Sequence, residues 1–231
     1  MAVWLSLCGA IVLIAYLLGS FPTGYITVKQ LKGIDIREVG SGSTGATNVL
    51  RTLGKGAGAF VLLVDCLKGV LAIALVYLLF NFAASQNLIP STVDIKLWQP
   101  CLVTLVGLAA ILGHSKSIFL GFTGGKSVAT SLGILLAMSW QVGLATVGVF
   151  AIVVAISRIV SLSSIAGAIA VSIFMVIFQQ PLPYILFGVA GGLYVILRHR
   201  GNIERLLAGT EPKIGQKLAT QTENNTPTHT A

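Results

Sequence analysis

Three polar segments of this sequence carry the residue types that hold phosphate. The first reads Gly40-Ser41-Gly42-Ser43-Thr44-Gly45-Ala46-Thr47-Asn48, followed by Arg51 and by Gly54-Lys55-Gly56. Glycines let successive backbone N–H groups converge on one anion, hydroxyls add donors, and an arginine can grip a phosphate through two parallel hydrogen bonds. It is not a Walker loop, because no Lys-Ser/Thr pair follows the required glycine spacing. The plain alternative is a flexible Gly/Ser connector. A second segment weakens that alternative: Gly113-His114-Ser115-Lys116 leads to Gly124-Gly125-Lys126-Ser127, where an apolar run begins. If that run is a helix, its free N–H groups and positive dipole end coincide with Lys126. The third combines Arg158, Ser161, Ser163 and Ser164 with Arg198-His199-Arg200-Gly201-Asn202. His199 and Asn202, three apart, would share one helix face, whereas Arg198 and Arg200 are equally well explained as anchors to lipid headgroups. Two anion cradles imply two phosphate-bearing substrates or one with two phosphoryl groups, and composition does not choose between these.

The elements that position these segments are membrane helices. The 231 residues are 55% hydrophobic and only 10% charged, whereas a typical soluble domain is about one quarter charged. Apolar runs lie at about 2–21, 57–81, 99–113, 127–156, 165–180 and 183–197. A run of roughly 20 residues suffices for a helix to cross the hydrocarbon. The first run has no basic residue ahead of it and no small-residue cleavage site, so it reads as a retained span. Cys8, Cys66 and Cys101 sit in or beside apolar runs and read as packing residues. A catalytic metal is not expected, since no acidic cluster or Cys/His ligand spacing is present, and nothing calls for a cofactor.

Orientation follows from the basic residues. Lys29, Lys32, Arg37, Arg51 and Lys55 place the 29–55 loop in the cytoplasm and the N-terminus outside. Lys126 and Arg158 flank the thirty-residue run 127–156 and both belong inside, so that run divides into two short helices turning near Ser139, Trp140 and Gln141. The result is an all-α polytopic membrane protein of seven transmembrane helices, two of them short. It has one domain over 1–213, and 214–231 is expected to be a polar, disordered cytoplasmic tail. Trp4, Trp98 and Trp140 fall near the outer boundary, where indoles suit an interface. Asp65 and Lys68, at i and i+3 inside the second span, read first as an ion pair and second as catalytic. The formal charge of +8 is spent at one membrane face, which disfavours a nucleic-acid partner.

At these segments the chain resembles the acyl-phosphate:glycerol-3-phosphate acyltransferases of bacterial phospholipid synthesis. The likeness rests on Gly40 to Asn48 with Arg51, Gly54-Lys55, Asp65 and Lys68-Gly69. It continues with Gly113-His114, Gly124-Gly125-Lys126 and Val128-Ala129-Thr130, then Arg198-His199-Arg200, Asn202-Ile203, Arg205, Gly209 and Glu211. The resemblance implies a multi-pass protein of the bacterial inner membrane with its active site on the cytoplasmic face. It implies acyl phosphate as donor, glycerol 3-phosphate as acceptor, lysophosphatidic acid as product, and no metal. Ser41, Arg51, Lys126, His199 and Asn202 then match positions tied to catalysis. Gly40, Gly42, Ser43, Thr44, Gly45, Thr47, Asn48, His114, Gly124, Gly125, Ser161 and Ser164 become candidates for substrate binding. The chain departs from the family pattern at Ser43, at Ser115-Lys116-Ser117, and at Thr123 and Ser127, which stand for Lys and Gly. Lys116 is a candidate to restore the basic charge missing at 123.

Two other classes fit parts of the pattern. A transporter of an organic phosphate would use basic loops and an intramembrane Asp65/Lys68 pair, but its site is expected near the midplane. A lipid-binding scaffold explains basic edges and not two glycine-rich loops. The orientation is checked by placing a cysteine at Trp98: an impermeant thiol reagent should label it from outside intact cells, and labelling only from the cytoplasmic side would invert the arrangement.

Overall fold

The computed structural model describes residues 1–216, and among these the regular elements are helices, with one isolated bridge between Ser117 and Thr123. The tail expected to be disordered lies almost entirely outside the described residues. Ten α-helices follow in order: α1 Ala2–Ser20, α2 Thr23–Lys32, α3 Ala46–Leu53, α4 Lys55–Ser85, α5 Ile95–Ser115, α6 Val128–Met138, α7 Trp140–Ser157, α8 Val160–Ile177, α9 Leu182–Arg198 and α10 Arg200–Leu207. By length and composition five helices can cross a membrane, and six if the pair α9 and α10, bent by 61°, counts as one. The run 127–156 divides as expected, with Ser139 between α6 and α7. At eleven residues α6 rises roughly 16 Å, about half the hydrocarbon thickness.

The breaks have local causes. Pro22, which cannot donate a helical hydrogen bond, separates α1 from the amphipathic α2. The carbonyls left over at the end of α1 are taken by Lys68, whose Nζ lies 2.7 Å from Phe21 O and 3.5 Å from Gly19 O. Lys68 also pairs with Asp65 at 2.7 Å. The intramembrane charges are thus an ion pair, as the first reading had it, and the pair also ties α4 to the end of α1.

The main core gathers side chains from α1, α4, α5, α6 and α9, including Trp4, Ile73, Val103, Ile111, Ile134 and Phe187. Trp4 is a correction to the interfacial reading: its ring is buried, packed edge-on to Phe80 with centroids 5.1 Å apart. Trp140 is exposed, as an interfacial indole would be. A second small core of Val28, Ile36, Val49 and Val61 fastens α2 and α3 against the start of α4.

Glycine pairs set how closely the site-bearing helices cross. A Cβ at Gly69 of α4 would strike Thr130 O, and one at Gly133 of α6 would strike Cys66 O. Gly19 of α1 and Gly113 of α5 are matched in the same way against Ala110 O and Tyr16 O. Such contacts let backbones approach where lipid supplies no hydrophobic drive for helix association. Adding a methyl at Gly133 forces α6 away from α4 and should destabilise the bundle by about 1–3 kcal/mol. Thermal unfolding of Gly133→Ala in detergent should show a lowered midpoint, and an unchanged midpoint would mean that the pair has slack.

Candidate active site

The glycine segment is shaped by one buried side chain. Asn48, at the start of α3, donates from Nδ2 to the carbonyls of Ile36, Val39 and Ser43, and its Oδ1 accepts from Ser41 N–H. Gly40 and Gly42 take φ of +60° and +66°, where a side chain is costly, and a Cβ at Gly40 would also meet Asn48 Oδ1. The amide of Asn48 is therefore committed to folding the loop. Ser41, Ser43, Gly45 and Thr47 are left along one wall of a polar cavity of about 140 Å³.

Opposite them, the segment before α6 is pressed onto α5. Gly125 N–H donates to His114 O at 3.1 Å. A Cβ at Gly124 would strike that same carbonyl, and one at Gly125 would strike the His114 ring. Arg198 clamps the segment from α9, donating from Nη2 to Gly125 O at 3.2 Å and to Gly124 O at 3.5 Å. It thus does more than anchor a helix to lipid. Held this way, Lys126 extends into the cavity and donates to Asn202 Oδ1.

The bend at His199 brings in the third segment. His199 Nδ1 lies 2.7 Å from Val195 O. A carbonyl can only accept, so Nδ1 carries the proton and Nε2 is left to act in the cavity. Three residues on, Asn202 Nδ2 donates to Glu211 Oε1 at 2.6 Å, and Ser161 Oγ of α8 reaches the same oxygen at 2.7 Å. Arg205 Nε holds Oε2 at 2.7 Å. Arg51, half-buried on α3, lines the cavity and donates to nothing among the described residues.

Twelve of the expected residues line this one cavity: Ser41, Ser43, Gly45, Thr47, Asn48, Arg51, His114, Lys126, Ser161, Ser164, His199 and Asn202. Gly40, Gly42, Thr44, Gly124 and Gly125 do not. They form the turns and close contacts behind it, with the Thr44 carbonyl set against Gly24. Arg158 ends α7 in a left-handed conformation and also lies off the cavity.

A larger apolar cavity of about 310 Å³ runs between α5, α6, α7, α8 and α9, and it shares Leu62, Val128, Ala129, Phe150 and Ser164 with the polar one. A cavity lined by cations therefore abuts one lined by hydrocarbon across these five residues.

The family model described as glycerol-3-phosphate acyltransferase matches residues 9–209. The chain belongs to that family. It is 86% identical to the glycerol-3-phosphate acyltransferase of a Nostoc species over 97% of this chain and 100% of the relative. It is 57% identical to that of Acaryochloris marina over 96% and 99%. Its fold matches the crystal structure of PlsY, an integral membrane glycerol 3-phosphate acyltransferase, in the glycerol 3-phosphate form. The TM-score is 0.77 at 38% identity, covering 90% of this chain and 96% of the other. The lysophosphatidic acid form of PlsY matches at 0.74 and 36%, covering 90% and 95%.

For a glycerol-3-phosphate acyltransferase the sequence left two residues without a role. Glu211 joins Ser161, Asn202 and Arg205, and Arg37 bridges the two loops, 3.3 Å from Leu120 O and 3.4 Å from Thr123 Oγ1. Lys116 is exposed and off the cavity, so the basic group beside Thr123 is Arg37. Glu204 pairs with Arg200 at 3.2 Å on the exposed face of α10.

Burial, then the charges of Arg205, Arg51 and Arg198, push the Lys126 ammonium down to about 8, with Glu211 opposing. The ammonium is charged below that value and loses its proton as pH rises through it. The kcat/KM for glycerol 3-phosphate should therefore fall on an alkaline limb near 8. In Lys126→Arg the guanidinium stays charged, so the residual activity should keep no such limb. A limb that stays in place in this variant belongs to another group.

Proposed function

We propose that this acyltransferase moves a fatty acyl group from acyl phosphate to the primary hydroxyl of sn-glycerol 3-phosphate. The products are 1-acyl-sn-glycerol 3-phosphate and inorganic phosphate, formed at the cytoplasmic face of a bacterial inner membrane with the N-terminus outside. The observation that carries the reading is the junction of a cationic cavity with an apolar one across Leu62, Val128, Ala129, Phe150 and Ser164. A donor with an anionic head directly on its acyl carbonyl fits that junction, with its chain among α5 to α9 and its phosphate among the cations. The glycerol 3-phosphate and lysophosphatidic acid forms of PlsY name the acceptor and product this reading needs.

The acyl phosphate is already activated, so the protein's task is alignment. Two dianions repel, and holding both against Arg51 and Lys126 offsets that repulsion and brings hydroxyl and carbonyl together. Ser41, the glycine-loop amides and Arg51 hold one phosphate, while Lys126 holds or bridges the other. The hydroxyl oxygen attacks the carbonyl carbon, the carbon–oxygen bond to phosphate breaks, and the proton ends on the departing phosphate, directly or through His199 Nε2. Asn202, fixed by Glu211, orients the group beside Lys126. Charge on the carbonyl oxygen is met by donors already in place, which is where such sites gain most.

The test supplies purified protein in detergent with radiolabelled glycerol 3-phosphate and, in parallel, palmitoyl phosphate, palmitoyl-CoA or palmitoyl-acyl carrier protein. Labelled lysophosphatidic acid should form only with palmitoyl phosphate, and formation from the thioesters alone would overturn the donor. Arg51→Ala and Lys126→Ala should each cut turnover by about a hundredfold or more in protein that elutes as folded. Near-normal turnover in both would remove the site assignment.

A further inference from the structure

Behind the polar cavity lies a much smaller one, of about 10 Å³, where α1 ends, α2 begins, α4 passes and α5 ends. Ser20, Thr23, Asp65 and His114 all line it, and each is more than nine-tenths buried. Ser20 Oγ, Thr23 Oγ1 and both Asp65 carboxylate oxygens make no hydrogen bond among the described residues. Lys68 Nζ is 2.7 Å from Asp65 Oδ1 and also donates to the backbone at the end of α1. His114 Nδ1 lies 3.9 Å from Asp65 Oδ1, too far for a direct hydrogen bond and a spacing at which a bridging molecule belongs. Buried polar groups are rarely left unpaired, and here they converge on a space that admits about one water.

We propose that a single ordered water occupies this cavity and that through it Asp65 is a positioning residue for the Lys126 loop. The water's four hydrogen-bonding directions match the four groups. It accepts from His114 Nδ1–H and from one hydroxyl, and it donates to Asp65 and to the other hydroxyl. A bound cation is disfavoured because the Lys68 ammonium already faces the same carboxylate. With Nδ1 fixed, the His114 ring presents its Nε2 edge to Gly125, the residue before Lys126, and the backbone of His114 takes the Gly125 N–H. The Asp65–water–His114 chain thus sets the height of the Lys126 loop over the cavity. This consequence rests on the role proposed for Lys126, whereas the water site itself does not.

The test has two arms. A crystal structure of the wild-type protein at a resolution that resolves ordered water should show one peak among Ser20, Thr23, Asp65 and His114, absent in a Ser20→Ala/Thr23→Val double variant. No peak in the wild type would overturn the proposal. In the palmitoyl phosphate assay, Thr23→Val, which keeps the side chain's shape, should raise KM for one phosphate substrate by about tenfold with a much smaller change in kcat. Thr23→Ser should restore it. Unchanged KM in a variant that has lost the water would overturn the link to Lys126. A wild-type protein inactive with acyl phosphate would sink the functional reading and leave the crystallographic arm intact.

Discussion

The site depends on holding like charges together away from water. Arg51, Arg198 and Arg205 all converge on Lys126, and their mutual repulsion grows as solvent is excluded. One carboxylate answers them. Burial alone would raise the Glu211 pKa, but donation from Ser161, Asn202 and Arg205 outweighs it and holds the group below the usual carboxylate range. Through Asn202 the same carboxylate reaches Lys126, so α8, α10 and the loop before α6 are joined at one anion. The positive charge it leaves uncompensated is what the proposed phosphate substrates would offset.

Much of this could be read in the sequence because the constraints were local. Gly40 to Asn48 and Gly124 to Lys126 announce backbone that approaches something closely, and flanking lysines and arginines put both on one face, where they share one cavity. The split of 127–156 followed from charge at both ends of one apolar run. What stayed hidden is set by pairings across the chain. Glu211 lies fifty positions from Ser161, and no spacing rule connects them. Nothing in the sequence shows that Asn48 spends its amide on three carbonyls, or that Arg198 grips the Gly124-Gly125 backbone. Trp4 misled because a position near the membrane edge does not say whether an indole faces lipid or its own bundle.

The departures from the family pattern also become physical statements. Ser127 takes φ of +65°, which explains why glycine is usual there, and its hydroxyl donates to Ile111 O at 2.9 Å, offsetting part of the cost. Arg37 already stands beside Thr123, held by Asp35 and laid over the ring of Tyr25 at 5.3 Å. A lysine at 123 would add a second cation next to it.

The shared wall of the two cavities has a kinetic meaning for the proposed pair of substrates. One reactant is delivered by the cytosol, where molarity sets its supply. The other is dissolved in the bilayer, where supply is a mole fraction among lipids, and diluting the membrane with inert lipid would starve the enzyme without removing a single donor molecule from the suspension. The catalyst sits at a phase boundary and answers to two different concentration scales at once.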